Sequence, residues 1–274
     1  VEDNQEIYDS IIQAYRLAER VLIPVMVCYD GFMLSHTAMP VIVEDQSVLD
    51  AFLPPFDPPV KLDPDRPMNF GLVTLPEPRF DLPGIADFGG YMEIRHGLQQ
   101  DLSAAMAEVV KVDAEFNQVF GRGYSGVMKE YKTDGADLVI LTMGTLASEA
   151  RVAADLLGER GLRVGIASLR LYRPFPTDAI RRLAAGCDKI MIIDRALSYG
   201  NEGPLAGDTK AALYGQEKLP ELSCLVAGLG GREVRAEMIA DAAESVLSGE
   251  FRAPPRPQEM PWINLRPART PVVP

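Results

Sequence analysis

Leu138-Val139-Ile140-Leu141-Thr142-Met143-Gly144-Thr145 is a short apolar run that stops at a glycine and passes straight into an amphipathic stretch. Leu146, Ala150, Ala153 and Leu157 then fall on one helical face. An uninterrupted apolar run of this length predicts a strand covered on both faces. The same unit recurs along the chain. Val164-Gly165-Ile166-Ala167 precedes a helix over 177–184, and Ile190-Met191-Ile192-Ile193 precedes one over 205–213. Leu222 to Val226 precedes one over 234–247. Four strand-then-helix units in series predict a three-layer α/β domain with a mostly parallel sheet over 126–250.

Ligands of open parallel sheets bind beyond the carboxyl ends of the strands. The loops expected there are Thr142 to Thr145, Leu171 to Pro176, Asp194 to Gly203 and Ala227 to Arg232. Gly144 and Thr145 either present helix N–H groups to an anion or form a tight turn. Arg173, before Pro174, either grips a carboxylate or phosphate or pairs with Asp194 or Glu202. Gly228-Leu229-Gly230-Gly231-Arg232 has part of the look of a dinucleotide loop, and Gly230 and Arg232 are its candidate contacts. It lacks the full Gly-x-Gly-x-x-Gly pattern and follows the last strand of the series.

Upstream of this domain, Asp3 or Asn4 can cap a helix whose Ile7, Ile11, Tyr15, Ala18 and Leu22 share one face. Pro24 and a strand candidate, Val25-Met26-Val27-Cys28, follow. The loop after it holds Asp30, Gly31, Phe32, Ser35 and His36, the residues expected nearest an active site. Ser35 and His36 are sequence neighbours, which disfavours a nucleophile–base pair, because such a pair must face across a gap. A single helix–strand unit cannot bury both of its faces, so residues 1–53 read as the end of a second α/β domain, and the chain as a piece of a longer polypeptide. Asp45 can cap a short helix running to Leu53. Nine prolines lie between Pro54 and Pro83. With a long helix from about Tyr91 to Phe116, they make 54–125 a connector. Its Phe56, Phe70, Leu72, Val73 and Leu75 want burial. Residues 251–274 form a Pro-rich tail, with Trp262 and Arg266, that docks on something.

Composition narrows the function. The 274 residues carry a net charge of −12, which argues against general binding to nucleic acid or anionic membrane. No apolar run approaches the ~20 residues of a membrane span, and no signal peptide is visible. Three widely separated cysteines, Cys28, Cys187 and Cys224, make neither a disulfide framework nor a cluster spacing, and suggest a reducing, cytoplasmic setting. Two histidines, His36 and His96, are too few for a His-rich metal site.

Several motifs, in order, resemble one family. Asn4-Gln5-Glu6 entering the first helix, Pro24-Val25-Met26-Val27, Asp30-Gly31-Phe32 and Ser35-His36 are similar to the end of the first thiamine-diphosphate domain of the 2-oxoacid:ferredoxin oxidoreductases, such as pyruvate:ferredoxin oxidoreductase. Phe120-Gly121-Arg122-Gly123-Tyr124, Met143-Gly144-Thr145, Leu169 to Pro176, Asp194-Arg195, Glu202-Gly203-Pro204 and Gly228 to Arg232 are similar to its second, transketolase C-terminal-like domain. The resemblance implies an α-type subunit, or a fragment of it, in a multi-subunit enzyme that decarboxylates a 2-oxoacid. Such a complex uses thiamine diphosphate, Mg2+, [4Fe-4S] clusters and coenzyme A, and passes electrons to ferredoxin.

The resemblance also implies that this chain binds none of these cofactors alone. The partners implied are the remainder of the same subunit, β, γ and δ subunits, and ferredoxin. No catalytic residue of the family matches a position here, so the chain is expected to serve as scaffold and interface. The alternatives are the C-terminal part of a transketolase-like or dehydrogenase β subunit, and a stand-alone α/β binding or scaffold module.

Overall fold

The computed structural model describes residues 1–58, 65, 91–251, 253–254 and 256–266. It resolves into two compact units. One comprises 1–11, 27–42 and 123 onward, and the other 12–26 and 43–122.

Among the described residues of the first unit, five strands form one sheet in the order β1-β3-β2-β4-β5. The strands are β1 (Met128–Tyr131), β2 (Leu138–Thr142), β3 (Val164–Leu169), β4 (Lys189–Asp194) and β5 (Glu221–Val226). β2, β3, β4 and β5 are parallel. β1 runs antiparallel to β3, with Met128 opposite Leu169. The four parallel strands and the helix after each of them bear out the reading of the sequence. β1 is an addition that it missed. Only Met128 of β1 is buried, so the strand has no continuous apolar run to announce it.

The period of two along each strand divides the core. Leu138 and Ile140 of β2, with Met191 and Ile193 of β4, face one layer of helices. That layer is α4 (Thr145–Glu159) and α7 (Ala236–Ser248). Val139, Leu141, Ile190 and Ile192 face the other layer. It holds α5 (Thr177–Ala185) and α6 (Pro204–Leu213). Covering both faces explains why these strands are apolar throughout rather than alternating. The tail adds to this sheet. Pro261 O accepts from Val226 N and Ile263 N donates to Val226 O, setting Trp262 beside the end of β5.

The helix α1 (Asn4–Val21) forms where its caps predict. Asp3 Oδ1 accepts from Glu6 N, and Glu6 Oε2 accepts from Glu2 N, so two N-terminal donors are satisfied by acidic side chains. Its burial is the reverse of its hydrophobic pattern. Ile11, Tyr15 and Leu22 are exposed, whereas Glu2, Glu6, Asp9 and Ser10 are buried. Those acids meet bases from the sheet. Lys129 Nζ lies 3.1 Å from Glu6, Arg170 Nε 3.4 Å from Glu6, and Arg151 binds Glu2. Tyr124 donates to Asp9 at 2.6 Å. Charges taken out of water must be paired, and here they are.

The expected strand Val25-Met26-Val27-Cys28 is not one. It has no regular structure and is mostly exposed, with Met26 83% accessible, and no described strand lies beside it to complete a ladder.

The second unit is helical where described. α2 (Gln46–Phe52), with Asp45 at its N-cap position but no capping bond from the Asp45 side chain, and α3 (Tyr91–Phe120) share an aromatic cluster of Phe52, Phe116 and Phe120. Arg16 lies over the Phe52 ring, and Arg20 pairs with Glu115. α3 continues one turn past the expected end at Phe116. Phe56 is 46% exposed. Phe70, Leu72, Val73 and Leu75 lie outside the described residues.

Gly165 marks the closest backbone approach in the sheet. A Cβ there would stand 2.7 Å from both Lys132 O and Thr133 Cα, which are backbone atoms and cannot swing aside. Gly165→Ala is therefore expected to lower unfolding free energy by about 2 kcal/mol or more, the usual cost of overpacking. Urea denaturation measures it, and an unchanged midpoint would refute the close approach.

Candidate functional site

The strand order reverses direction between β2 and β4, because β3 lies on one side of β2 and β5 on the far side of β4. The crevice at such a reversal is where open sheets receive ligands. Two side chains face each other across it, Thr145 at the start of α4 and Arg195 just after β4. The carboxylate between them belongs to the chain itself. Thr145 Oγ1 donates to Asp30, Arg195 Nη1 donates to Asp30, and Arg195 Nη1 donates to Thr145 Oγ1 at 2.6 Å. Asp30 and Arg195 are largely buried, at 19% and 24% side-chain exposure. This is enough to strengthen the pair well beyond a surface salt bridge.

Asp30 sits on a strap, residues 27–42, that is pinned at several further points. Asn4 Nδ2 donates to Thr37 O at 3.1 Å. Gln5 binds both backbone groups of Ile42, donating to its O and accepting from its N. The Phe32 ring approaches the position a Gly231 side chain would take, at 3.8 Å. The strap thus lies over the carboxyl end of the sheet, and of the residues expected there, Asp30, Phe32, Gly144, Thr145 and Gly231 are brought together.

Ser35 and His36 do touch, with Ser35 Oγ 2.8 Å from His36 Nδ1. Ser35 Oγ also donates to Gly31 O at 2.7 Å, which uses its only proton. Nδ1–H must then be the donor to Ser35, so the imidazole is not a base toward this hydroxyl. The ring stacks on Phe32 at 5.1 Å and keeps Nε2 for another partner.

Arg173 stands apart from this constellation. It pairs with Asp208 at 2.8 Å and lies 4.2 Å over the Tyr172 ring. It does lock loops together, but through Asp208 rather than Asp194 or Glu202. Asp194 has a different task. Its oxygens accept from Leu205 N and Ala206 N, at 3.1 and 3.0 Å, capping α6 from below. A side chain at Gly203 would stand 2.1 Å from Asp194 Oδ2, so only glycine lets the carboxylate reach. Burial pushes Asp194 up to about 6, against the opposing pull of the two N–H groups. Gly230 and Arg232 line a separate polar hollow with Leu229, Gly231, Glu233, Asn264 and Arg266.

Arg195 lies in the expected loop Asp194 to Gly203 but was not singled out as a contact, and Asn264 and Arg266 were not among the residues expected at a site. Arg195 could have been found as the first residue beyond an apolar strand. Asn264 and Arg266 carry no such signal, because only folding returns the tail to the sheet.

The described residues do not suit the metal groups that the resemblance implies. They hold no cluster of three His, Cys, Asp or Glu side chains. Cys187 and Cys224 are buried, which raises both thiols, Cys224 to about 11, while Cys28 is exposed. Three thiols in such different surroundings do not make a cluster cradle.

Residues 1–83 match the family model of the thiamine-diphosphate-binding domain of pyruvate flavodoxin/ferredoxin oxidoreductases, and residues 136–239 that of core domain II of pyruvate:ferredoxin oxidoreductase. Pyruvate synthase subunit PorA of Pyrococcus abyssi is 36% identical over 97% of this chain, and ketoisovalerate oxidoreductase subunit VorA of the same organism 34% over 97%. The chain spans 64% of the length of each. A solved 2-oxoglutarate:ferredoxin oxidoreductase from Magnetococcus marinus overlaps at 19% identity and a TM-score of 0.38, covering 63% of this chain and 26% of that one. No residue correspondence follows from so partial an overlap.

Two predictions arise from this geometry. Asp30→Ala leaves the Arg195 guanidinium half-buried without its carboxylate. Hydrogen exchange over residues 27–42 should accelerate, with a stability loss of about 1–3 kcal/mol, and unchanged protection would mean that the pair does not hold the strap. The second concerns Asp194. Its folded-state pKa, about 6, lies above the ordinary aspartate value of 3.8. The folded state therefore binds more protons than the unfolded between those values, and this group's contribution falls as pH rises from about 4 to about 6. Relative to Asp194→Asn, the native chain should lose up to about 2–3 kcal/mol of unfolding free energy between pH 4 and pH 7. Parallel denaturation curves for the two proteins across that window would refute the assignment.

Two family models, matched over residues 1–83 and 136–239, with relatives matching along nearly all of its length, make this chain a member of the 2-oxoacid:ferredoxin oxidoreductases, of the α-subunit type.

Proposed function

We propose that this chain works as part of the α-type subunit of a multi-subunit enzyme that oxidatively decarboxylates a 2-oxoacid such as pyruvate, yielding acyl-coenzyme A and CO2. Electrons would leave through iron–sulfur clusters to ferredoxin. The relatives' names support the reaction class. A single observation supports the role of this part of the subunit: its own Asp30 carboxylate occupies the crevice where an open sheet takes a ligand. The domain of 126–250 is then a platform for the strap rather than a cofactor site. The transketolase-like and dehydrogenase alternatives are not favoured by the relatives.

Thiamine diphosphate would supply the nucleophile for the keto carbon, held by residues outside this chain. This chain's residues position. Asp30 and Gln5 hold the strap, and the strap carries His36 with Nε2 uncommitted. Phe32, Met33, Met39 and Ile42 on the strap are exposed large apolar side chains. Their exposure supports an interface with the rest of the subunit or with neighbouring subunits. Residues 1–53 would belong to a thiamine-diphosphate-type domain, with 54–125 as connector and 251–274 as tail. A reducing, cytoplasmic setting suits the chemistry.

The complex purified anaerobically with this chain should reduce viologen with one class of 2-oxoacid, dependent on coenzyme A and thiamine diphosphate. Within it, His36→Ala should lower turnover or assembly. Full activity and assembly of that variant would remove His36 from the mechanism, and an inactive complex across a panel of 2-oxoacids would overturn the reaction proposed.

A further inference from the structure

Arg232 of the Gly228–Arg232 loop has no part in the reading above, yet it borders an open hollow of about 350 Å³ lined by Leu229, Gly230, Gly231, Arg232, Glu233, Asn264 and Arg266. The chain carries 39 acidic and 27 basic residues, and most of its arginines among the described residues are paired, among them Arg151, Arg160, Arg163, Arg173 and Arg195. Arg232 and Arg266 are exposed, and their guanidinium groups have no ion-pair or hydrogen-bond partner among the described residues. They arrive from distant points of the chain and line the same hollow.

The hollow is held in shape. Asn264 Nδ2 donates to Glu233 O at 3.0 Å, tying the tail to the loop. Pro261 and Ile263 bond to Val226 at the end of β5, just before the loop begins. The loop places Gly230 at φ 61, ψ 29 directly after a helical turn residue, a left-handed conformation that glycine takes without strain. A right-handed residue followed by a left-handed one turns successive N–H groups to one side, as in anion-binding nests. Glu233 is the one carboxylate in the lining, and it subtracts from this positive character.

We propose that this hollow binds a diphosphate-bearing small molecule, with the guanidinium groups of Arg232 and Arg266 gripping its two phosphoryl groups. Each planar fork matches a phosphate bidentately. Two forks on separate segments suit two phosphoryl groups better than one. The volume lies at the lower end of the range for small-molecule sites. The inference is independent of the oxidoreductase reading, since either can fail alone.

The test is calorimetric titration of the full chain, at constant ionic strength, with inorganic phosphate, pyrophosphate and ADP. Pyrophosphate should bind more tightly than phosphate. Arg232→Gln and Arg266→Gln should each weaken it about tenfold or more, about 1.4 kcal/mol. Glu233→Gln should tighten it. Arg182→Gln, an exposed arginine in the last turn of α5, should leave it unchanged. ADP binding tighter than pyrophosphate would assign the hollow to a nucleotide, and equal binding to the diphosphate alone; both support the proposal. No binding above the ionic-strength control, or an equal loss in Arg182→Gln, would overturn it.

Discussion

The carboxylate of Asp30 between Arg195 and Thr145 is the contact on which the carboxyl edge of the sheet depends. A parallel sheet ends in a crevice of helix N-termini and polar loops, and that crevice demands an anion or water. Here it receives an acid from a strap outside the sheet domain in sequence. The strap then carries Phe32 to Gly231 and His36 to the exposed side, so one ion pair organises a row of loops.

The same logic operates at the other acid-rich contact. Glu2, Glu6 and Asp9 on α1 are buried against Lys129, Arg151, Arg170 and Tyr124. Burial raises the pKa of Glu2, but the bond to Arg151, the Lys129 charge and Ser168 outweigh it and leave the group below its ordinary range. This gives α1 its unusual orientation. The polar face is consumed by charge pairing, and the apolar face, with Ile11, Tyr15 and Leu22, is left outward.

Much of the sheet domain was legible in the residues. The strands Leu138–Thr142, Val164–Leu169, Lys189–Asp194 and Glu221–Val226 contain the four apolar runs, and their helices start within two residues of the expected positions. The edge strand Met128–Tyr131 was not, because an edge needs only one buried face and Lys129 and Glu130 hide it. Val25 to Cys28 misled for the opposite reason. Its residues favour a strand, but a strand requires a neighbour to bond.

What the sequence determined by itself is everything set by local period and covalent geometry. This covers the βα units, the capping acids of α1, the turn glycine Gly144, and the ordered motifs that announce the family. What only the tertiary structure decided is which distant charges meet. Asp30 with Arg195, Glu6 with Lys129, Arg173 with Asp208 and Arg232 beside Arg266 are each separated by more than thirty residues. Nothing in local pattern selects among the many acids and bases this chain carries. The physical reason is that ion pairing is nearly free of preference in water. Partners are chosen only once folding has excluded water and fixed which side chains share a crevice.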